Sequence, residues 1–262
     1  MAIQKTEAFI LRVQPFRSSS LIVTTFTRNF GKIKGVAKGV RGQTASRDTL
    51  YEPFTLLEIV FYEKLRSELH LISDAMVLET FQSLRSDLEI LAHAYYFSEL
   101  VDQVTEPHDP HENIFELLQF AFHGLSLLPS STLARFFEIR LLSEVGLLPQ
   151  LESCLGCGKI EFRKIYFSAR QGTIFCEACQ KKGMDSRPIS EKAVQRMRQF
   201  LEFNENPAQM LQQGSDANET EIRDVMERFL LERLDRRLAS RRFLKQVTAL
   251  IRKTENHQGH NQ

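Results

Sequence analysis

The four cysteines constrain this 262-residue chain more than any other feature of its sequence. They form two pairs with Cys-x-x-Cys spacing, and about 18 residues separate the pairs. Each such pair turns the backbone so that two sulfur atoms face one point, and two pairs can complete a tetrahedron around a metal ion. The spacing therefore predicts one structural Zn²⁺ ion, and its predicted ligands are Cys154, Cys157, Cys176 and Cys179.

The segment between the two pairs predicts a short hairpin. Apolar and polar residues alternate from residue 161 to residue 175, and Gln171-Gly172 interrupts the alternation. The pattern is typical of a zinc ribbon. Because protein atoms would fill all four coordination positions, no position remains for a catalytic water molecule. Two disulfide bonds, or four unrelated buried thiols, are the alternatives that the sequence leaves open.

Residues 5–73 predict a small β-barrel. β-Branched and aromatic residues alternate with polar ones in five short segments, and Asn29-Phe30-Gly31 provides a tight turn between the second and third segments. The commonest barrel with five strands of this length is the OB-fold. The predicted strands are residues 5–13, 21–27, 32–38, 54–62 and 68–73.

Beyond residue 73 the hydrophobic period changes from two to about 3.6 residues, which indicates helices. Ser86 and Glu89 are spaced as a capping box for the first helix, and Asp109 is the predicted cap of the second. Three further helices are predicted at residues 131–145, at residues 190–203 and from about residue 218 to residue 253.

The predicted fold class is α+β with two domains. An OB-fold domain occupies residues 1–75, and a helical domain with an inserted zinc ribbon at residues 150–182 occupies residues 76–253. Residues 254–262 are polar and are predicted to be a disordered tail. No apolar run reaches the length of a membrane span, and Lys5 and Glu7 lie where a signal peptide would be apolar. We therefore expect an intracellular protein.

The net charge of +1 conceals an uneven distribution of charge. Residues 1–73 carry a net charge of +5, and the remaining residues carry −4. The stretch from position 28 to position 47 contains six basic residues and no acidic residue, and such an uncompensated patch favours a nucleic-acid partner. Phe16, Phe26 and Phe30 lie nearby, but we expect them to support the barrel core or its turns rather than to stack on bases. The basic residues are Arg28, Lys32, Lys34, Lys38, Arg41 and Arg47.

The sequence does not favour an enzyme. It contains no phosphate-binding P-loop, no dinucleotide glycine fingerprint and no nucleophile elbow. It also offers no arrangement of polar groups that would hold a substrate for catalysis. We interpret the chain as a binding protein. Two other binding functions stay open, an RNA-binding OB-fold protein and a zinc-stabilised scaffold for other proteins.

Several segments together resemble the RecO family of bacterial recombination mediators. The likeness in the barrel rests on Glu7-Ala-Phe-Ile-Leu-Arg12, on Gly31-Lys-Ile-Lys-Gly-Val-Ala-Lys-Gly39 and on Glu52-Pro-Phe-Thr-Leu-Leu-Glu58. Elsewhere it rests on Gly146-Leu-Leu-Pro149 and on the inserted four-cysteine ribbon. Together these segments span nearly the whole chain.

The resemblance implies a DNA repair protein of the cytoplasm and nucleoid, acting in double-strand break repair and recombinational gap repair. Such a protein binds single- and double-stranded DNA, anneals complementary strands and works with RecR to load RecA onto DNA covered by single-strand-binding protein. The six basic residues would contact DNA. The helical half would bind the acidic C-terminal tail of single-strand-binding protein, and Arg135 is a candidate for that contact.

Overall fold

The computed structural model describes residues 2–40, 49–63, 67–181, 183–202, 207–212, 216–234 and 238–258. The chain forms two compact units. Unit 1 combines Met1–Ser126 with Leu238–Gln262, and unit 2 is Leu127–Arg237. Arg41 and Arg47 of the basic stretch lie outside the described residues. Within the described part of the chain, no helix is both long enough and apolar enough to cross a membrane.

Unit 1 contains a closed barrel of five strands. The strands are β1 (Ile3–Phe16), β2 (Ser20–Thr27), β3 (Gly31–Ala37), β4 (Leu56–Tyr62) and β5 (Leu69–Glu79). They close in the order β1-β2-β3-β5-β4, with β3 and β5 parallel and the other pairs antiparallel. This order confirms the OB-fold that the strand pattern predicted. β1 and β5 extend beyond the predicted limits, and β5 includes residues that the sequence assigned to a helix.

The structure contains seven helices among the described residues. They are α1 (Leu88–Val104), α2 (Glu112–Gly124), α3 (Ser130–Glu144), α4 (Glu191–Gln199), α5 (Pro207–Gln212), α6 (Asp216–Arg233) and α7 (Ala239–Gln258). Short 3-10 turns occur at Thr49–Tyr51 and Gln82–Arg85.

Two helix caps and one helix differ from the prediction. Asp87, rather than Ser86, caps α1, since its side chain accepts hydrogen bonds from the backbone N–H groups of Glu89 and Ile90. Asp109 does not cap α2; its carboxylate instead contacts the His111 ring, 2.9 Å away. The single helix predicted at about 218–253 is two helices, α6 and α7, and α7 continues into the predicted tail as far as residue 258. Residues 259–262 lie outside the described part.

The side chains of the barrel point alternately to two environments. The inward-facing set forms the barrel core and includes Ile10, Val23 and Ile33. The outward-facing Phe9 and Phe26 are also fully buried. The Phe9 ring packs against two aromatic rings of α2, with its centroid 4.8 Å from that of Phe115 and 5.5 Å from that of Phe122. Apolar residues on both sides of β1 thus place α2 against the outside of the barrel.

Unit 2 contains the cysteine ribbon. Its strands are β6 (Gln150–Cys154), β7 (Ile165–Ser168), β8 (Thr173–Cys176) and β9 (Arg187–Ile189), in the order β6-β8-β7-β9. β7 and β8 are antiparallel, and Gly172 has a positive φ of 65° in the turn between them. The predicted hairpin is therefore confirmed. Each cysteine pair begins at the last residue of a strand, β6 or β8, and these two strands run parallel to each other.

A matched pair of glycine substitutions tests how closely β3 approaches the segment before α2. Gly31 and Gly39 both have a positive φ, 63° and 68°. A Cβ atom on Gly31 would lie 2.2 Å from the Asp109 backbone oxygen, whereas a Cβ atom on Gly39 would meet no atom of the described residues within 4 Å. Backbone strain alone should make Gly39→Ala lower the free energy of unfolding by about 1 kcal/mol. Gly31→Ala should lower it by about 2 kcal/mol more, because backbone atoms must move.

Urea denaturation of the wild type and the two variants measures both losses of unfolding free energy. Equal losses of stability in Gly31→Ala and Gly39→Ala would contradict the close approach of Gly31 to Asp109.

Candidate nucleic-acid face and metal centre

The four cysteine sulfur atoms form one compact cluster in unit 2. All four Sγ atoms lie within 4.8 Å of one another. Cys154 is the last residue of β6, and Cys176 is the last residue of β8. After each strand the backbone turns back and brings the second cysteine of the pair beside the first. Two backbone hydrogen bonds close these turns, from Gly158 N to Cys154 O at 2.8 Å and from Gln180 N to Cys176 O at 3.0 Å. The strands and turns therefore position all four thiols.

The protonation of the thiols is uneven. Burial alone would raise the pKa of Cys154, but backbone N–H groups of Cys176, Cys157 and Gly156 donate hydrogen bonds to its sulfur and lower the pKa to about 6. Hydrogen bonds with Cys157 and Cys176 raise the pKa of Cys179 to about 12. The turns thus stabilise negative charge at Cys154, as a metal-binding thiolate requires.

The geometry of the cluster fits a tetrahedral metal ion. The Sγ atoms of Cys157 and Cys176 lie 3.8 Å apart. Zinc–sulfur bonds of about 2.3 Å in a tetrahedron place the sulfur atoms roughly 3.8 Å apart. A disulfide needs about 2.05 Å, so the disulfide alternative is wrong for this pair. A Cβ atom on Gly156 would lie only 2.8 Å from Cys179 Cβ, so the absence of a side chain there lets the two turns approach. Four thiolates complete the coordination of such an ion and leave no open position.

Replacement of one cysteine should destabilise unit 2. We expect Cys176→Ser to lose the bound metal, because a serine hydroxyl is a poor ligand in a soft four-sulfur site. A structural metal contributes directly to folding, so thermal unfolding of the variant should begin at a lower temperature. DNA affinity should change little, since the basic strand lies in unit 1. Metal analysis together with thermal unfolding of both proteins tests this. Unchanged metal content and melting in Cys176→Ser would contradict the assignment.

Arg28 is held between the barrel and α2. Its guanidinium lies 2.9 Å from the Glu7 carboxylate on β1, and 3.0 Å and 3.3 Å from the Glu112 and Glu116 carboxylates on α2. It also lies over the Phe115 ring, 4.5 Å from the centroid. Burial lowers the pKa of Arg28, but these hydrogen bonds and charges outweigh burial and raise the pKa above its ordinary value. Three carboxylates already neutralise the cation that the sequence predicted for DNA.

Lys32 is similarly engaged with α1. Its ammonium group donates a hydrogen bond to the backbone oxygen of Asp102, in the last turn of α1, and lies 3.4 Å from the Asp102 carboxylate. Only 11% of its side chain is exposed. A cation at the carboxyl end of a helix also interacts favourably with the helix dipole. Lys32 therefore anchors α1 to β3.

Lys34 and Lys38 differ from these two residues. Lys34 lies on the same outer side of β3 as Lys32, while Ile33 between them points into the barrel core. Lys38 follows the strand directly and is exposed. Neither lysine forms an ion pair with any residue that the structure describes. The structure thus separates the described members of the basic stretch into two that join helices to the barrel and two that face outward.

Arg135 lies in unit 2 on α3 and is 7% exposed. Its guanidinium lies 2.8 Å from the carboxylate of Glu138, which is also buried. An acidic peptide would have to displace that carboxylate to reach Arg135. The candidate contact with an acidic tail stays a prediction, and the burial of Arg135 does not favour it.

The acidic partners on the helices were not foreseen from the sequence. Glu112 and Glu116 are four residues apart, which places them on one face of a helix. That spacing was a usable signal that this face could pair with a cation. Nothing in the local sequence indicates that the cation is Arg28, because the pairing depends on how α2 packs against β1.

The fold and the site define a class of protein: an OB-fold barrel with lysines on its outer face, joined in one chain to helices and to a separate four-cysteine ribbon. Comparison with family models names that class. Residues 1–81 match the model described as recombination protein O N terminal, and residues 85–242 match recombination protein O C terminal. The chain therefore belongs to the RecO family, whose members function in DNA repair and recombination.

Individual relatives agree with the family models. The chain is 30% identical over 249 residues to the DNA repair protein RecO of Anaeromyxobacter dehalogenans (strain 2CP-C), a match that covers 94% of this chain and 98% of the relative. It is 30% identical to the protein of that name from Alkaliphilus metalliredigens (strain QYMF), with 88% and 94% covered. The corresponding values for Bacillus pumilus (strain SAFR-032) are 28%, 94% and 95%.

Proposed function

We propose that the protein is a DNA-binding recombination mediator in double-strand break repair and recombinational gap repair. It binds single- and double-stranded DNA through the outer face of its barrel and anneals complementary strands. With RecR it helps to load RecA onto DNA covered by single-strand-binding protein. It acts without covalent catalysis, in the cytoplasm at the nucleoid. The observation that carries the proposal is the match of RecO family models to both halves of the chain.

The outward-facing cations support the DNA-binding step. The registers of the barrel strands pair Arg12 with Thr24 and Thr24 with Lys34, so two cations lie on one row across β1, β2 and β3. Half of the Arg12 side chain is exposed, and its guanidinium lies 3.8 Å from the Asp102 carboxylate. Lys38 lies further along the same side. Cations that neutralise phosphates release condensed counterions, and this release drives binding without reading sequence.

The same cations account for annealing. Two complementary strands repel each other through their phosphates, and a cationic surface lowers this repulsion while leaving the bases free to pair. No proton transfer or nucleophile is needed. Base pairing supplies the driving force, and the protein increases the frequency of productive encounters.

The proposed metal ion, Zn²⁺, has a structural role. Cys154, Cys157, Cys176 and Cys179 would hold it, and it would tie the turns after β6 and β8 to each other. The helices and ribbon of unit 2 are the proposed region for protein partners, namely RecR and the acidic tail of single-strand-binding protein. We assign no individual residue of unit 2 to the acidic tail.

Removal of the two outward-facing lysines should reduce the salt dependence of DNA binding. For single-stranded DNA, the slope of log K against log salt concentration changes by about 0.7 for each phosphate contact. We therefore expect the Lys34→Ala, Lys38→Ala double variant to have a slope shallower by about 1.4 than the wild type. Fluorescence anisotropy with a labelled single strand across a salt series measures the slope.

Two control variants distinguish DNA contacts from structural cations. Lys5 is an exposed residue of the barrel that is paired with the Glu58 carboxylate, 2.8 Å away, and Lys5→Ala should leave the slope unchanged. Arg28→Ala should lower the melting temperature, since the ties to α2 are lost, with little change in slope. The proposal is contradicted if the double variant keeps the wild-type slope.

Annealing is tested with complementary strands that are covered by single-strand-binding protein. The wild-type protein should accelerate formation of the duplex, and the double lysine variant should do so less. Matched RNA strands test the alternative function in RNA binding. Tighter binding to RNA than to DNA, without acceleration of DNA annealing, would contradict the proposed function.

A further inference from the structure

The outer face of β1, β2 and β3 consists of rows of paired residues. Phe9 pairs with Phe26, and Phe26 with Lys32; this row is covered, because both rings are fully buried and Lys32 is bound to Asp102. The rows beyond it lead to the β1–β2 turn. They are Arg12, Thr24 and Lys34, then Gln14, Ile22 and Val36, and finally Phe16 with Ser20.

The last row combines an aromatic ring with cations. Phe16 is half-buried, and the Arg17 guanidinium lies 5.1 Å from its ring centroid. The β2–β3 register, extended by one residue, sets the exposed Lys38 opposite Ser20, which pairs with Phe16. An aromatic face and two basic residues therefore lie together at the turn.

Phe16 ends β1 beside the β1–β2 turn and is half-buried, so its expected role as a support of that turn stays a prediction. Phe30 packs against the barrel core, with its centroid 5.4 Å from that of Phe61, and Phe26 is fully buried. The described residues of the barrel core do not include Phe16. Arg17 has φ 56°, in the left-handed region, which costs about 1–2 kcal/mol for a residue with a side chain. A strained arginine beside a partly exposed ring is a reason to seek a ligand at this turn.

We propose that Phe16 stacks on an unpaired base of single-stranded DNA whose phosphates follow Lys38, Lys34 and Arg12. This inference rests on the proposed function and specifies its ligand. Phe16 lies four positions beyond Arg12 on β1, a distance of about 13 Å at about 3.3 Å per residue. That length accommodates part of the roughly 4–16 nucleotides that an OB-fold binds. Ile22 is partly exposed between the two ends and provides an apolar contact for the strand, whereas its neighbour Val36 is buried.

Stacking distinguishes single strands from duplexes. Every base has a π-face, so an aromatic ring holds a single strand without selecting its sequence. In a duplex each base is already stacked and paired. When a complementary strand pairs with the held bases, the contact with Phe16 is lost while the phosphate contacts persist. The protein would thus hold a strand before annealing and release its bases afterwards.

The chain contains no tryptophan, so a single substitution creates a specific fluorescent reporter. Tryptophan stacks on bases at least as well as phenylalanine, so Phe16→Trp should fold and bind single-stranded DNA. Its emission should be quenched by a single strand that carries bases, and far less by an abasic strand of equal length or by a duplex. Tyr95→Trp, at an exposed aromatic residue of α1, is the matched control and should not be quenched.

The affinity test uses Phe16→Leu, which keeps an apolar side chain but removes the ring. A lost stacking contact should weaken binding to a base-bearing single strand about tenfold. Binding to the abasic strand and the salt slope on both strands should stay unchanged, since no phosphate contact is removed.

Two different failures can be told apart. A wild-type protein without salt-dependent binding to single-stranded DNA would contradict the proposed function as a whole. If the wild-type protein binds, the stacking inference is overturned when base-bearing and abasic strands quench the fluorescence of Phe16→Trp equally. Equal affinity of Phe16→Leu and wild type for the base-bearing strand would also overturn it.

Discussion

The attachment of two helices to the outside of the barrel is the interaction on which the rest of unit 1 depends. Phe9 contributes apolar contact with α2, and Arg28 joins three carboxylates from β1 and α2. Lys32 binds the carboxyl end of α1. Both cations lie near the β2–β3 turn, at one end of the barrel face. Because the helices cover and neutralise that end, the opposite end, toward the β1–β2 turn, is left with outward-facing lysines.

This division changes how a basic sequence segment should be interpreted. Charges that are close in sequence and lie on one strand are not equivalent, since a neighbouring helix can supply the counter-charges. Arg28 and Lys32 act within the protein, where each connects two elements of unit 1. Lys34 and Lys38 have no ion-pair partner in the described part of the chain and can take phosphate groups instead. The proposed DNA-binding face and the helix-binding face therefore share one strand.

Much of the fold could be predicted from the sequence because its signals are local. Alternation of apolar residues located all five barrel strands, and the cysteine spacing located the cluster of four thiols and the hairpin between the two pairs. The positions of helix caps were less predictable. Asp87 and Ser86 are adjacent and both are capping residue types, but Ser86 ends the 3-10 turn Gln82–Arg85 and Asp87 caps α1. The prediction of one long C-terminal helix was wrong, because the apolar period in the sequence continues from α6 into α7.

The roles of the basic residues could not be predicted in the same way. They depend on contacts between residues far apart in sequence, such as Arg28 with Glu112 and Glu116. The cysteines are different, since a Cys-x-x-Cys turn is set by its own few residues. The role proposed for Phe16 likewise depends on strand register, which places the residue in a row with Ser20 at the uncovered end of the face.

Photo-cross-linking of a single strand containing 4-thiothymidine, mapped by mass spectrometry, tests the central claim most directly. The claim is that DNA follows the uncovered end of the barrel face. The account predicts cross-links within residues 12–22 and 34–38, and none within residues 105–116 of α2 and the segment before it. Cross-links concentrated at Arg28, Lys32 and residues 105–116 would show that DNA displaces the helices, and would contradict the division of the face described above.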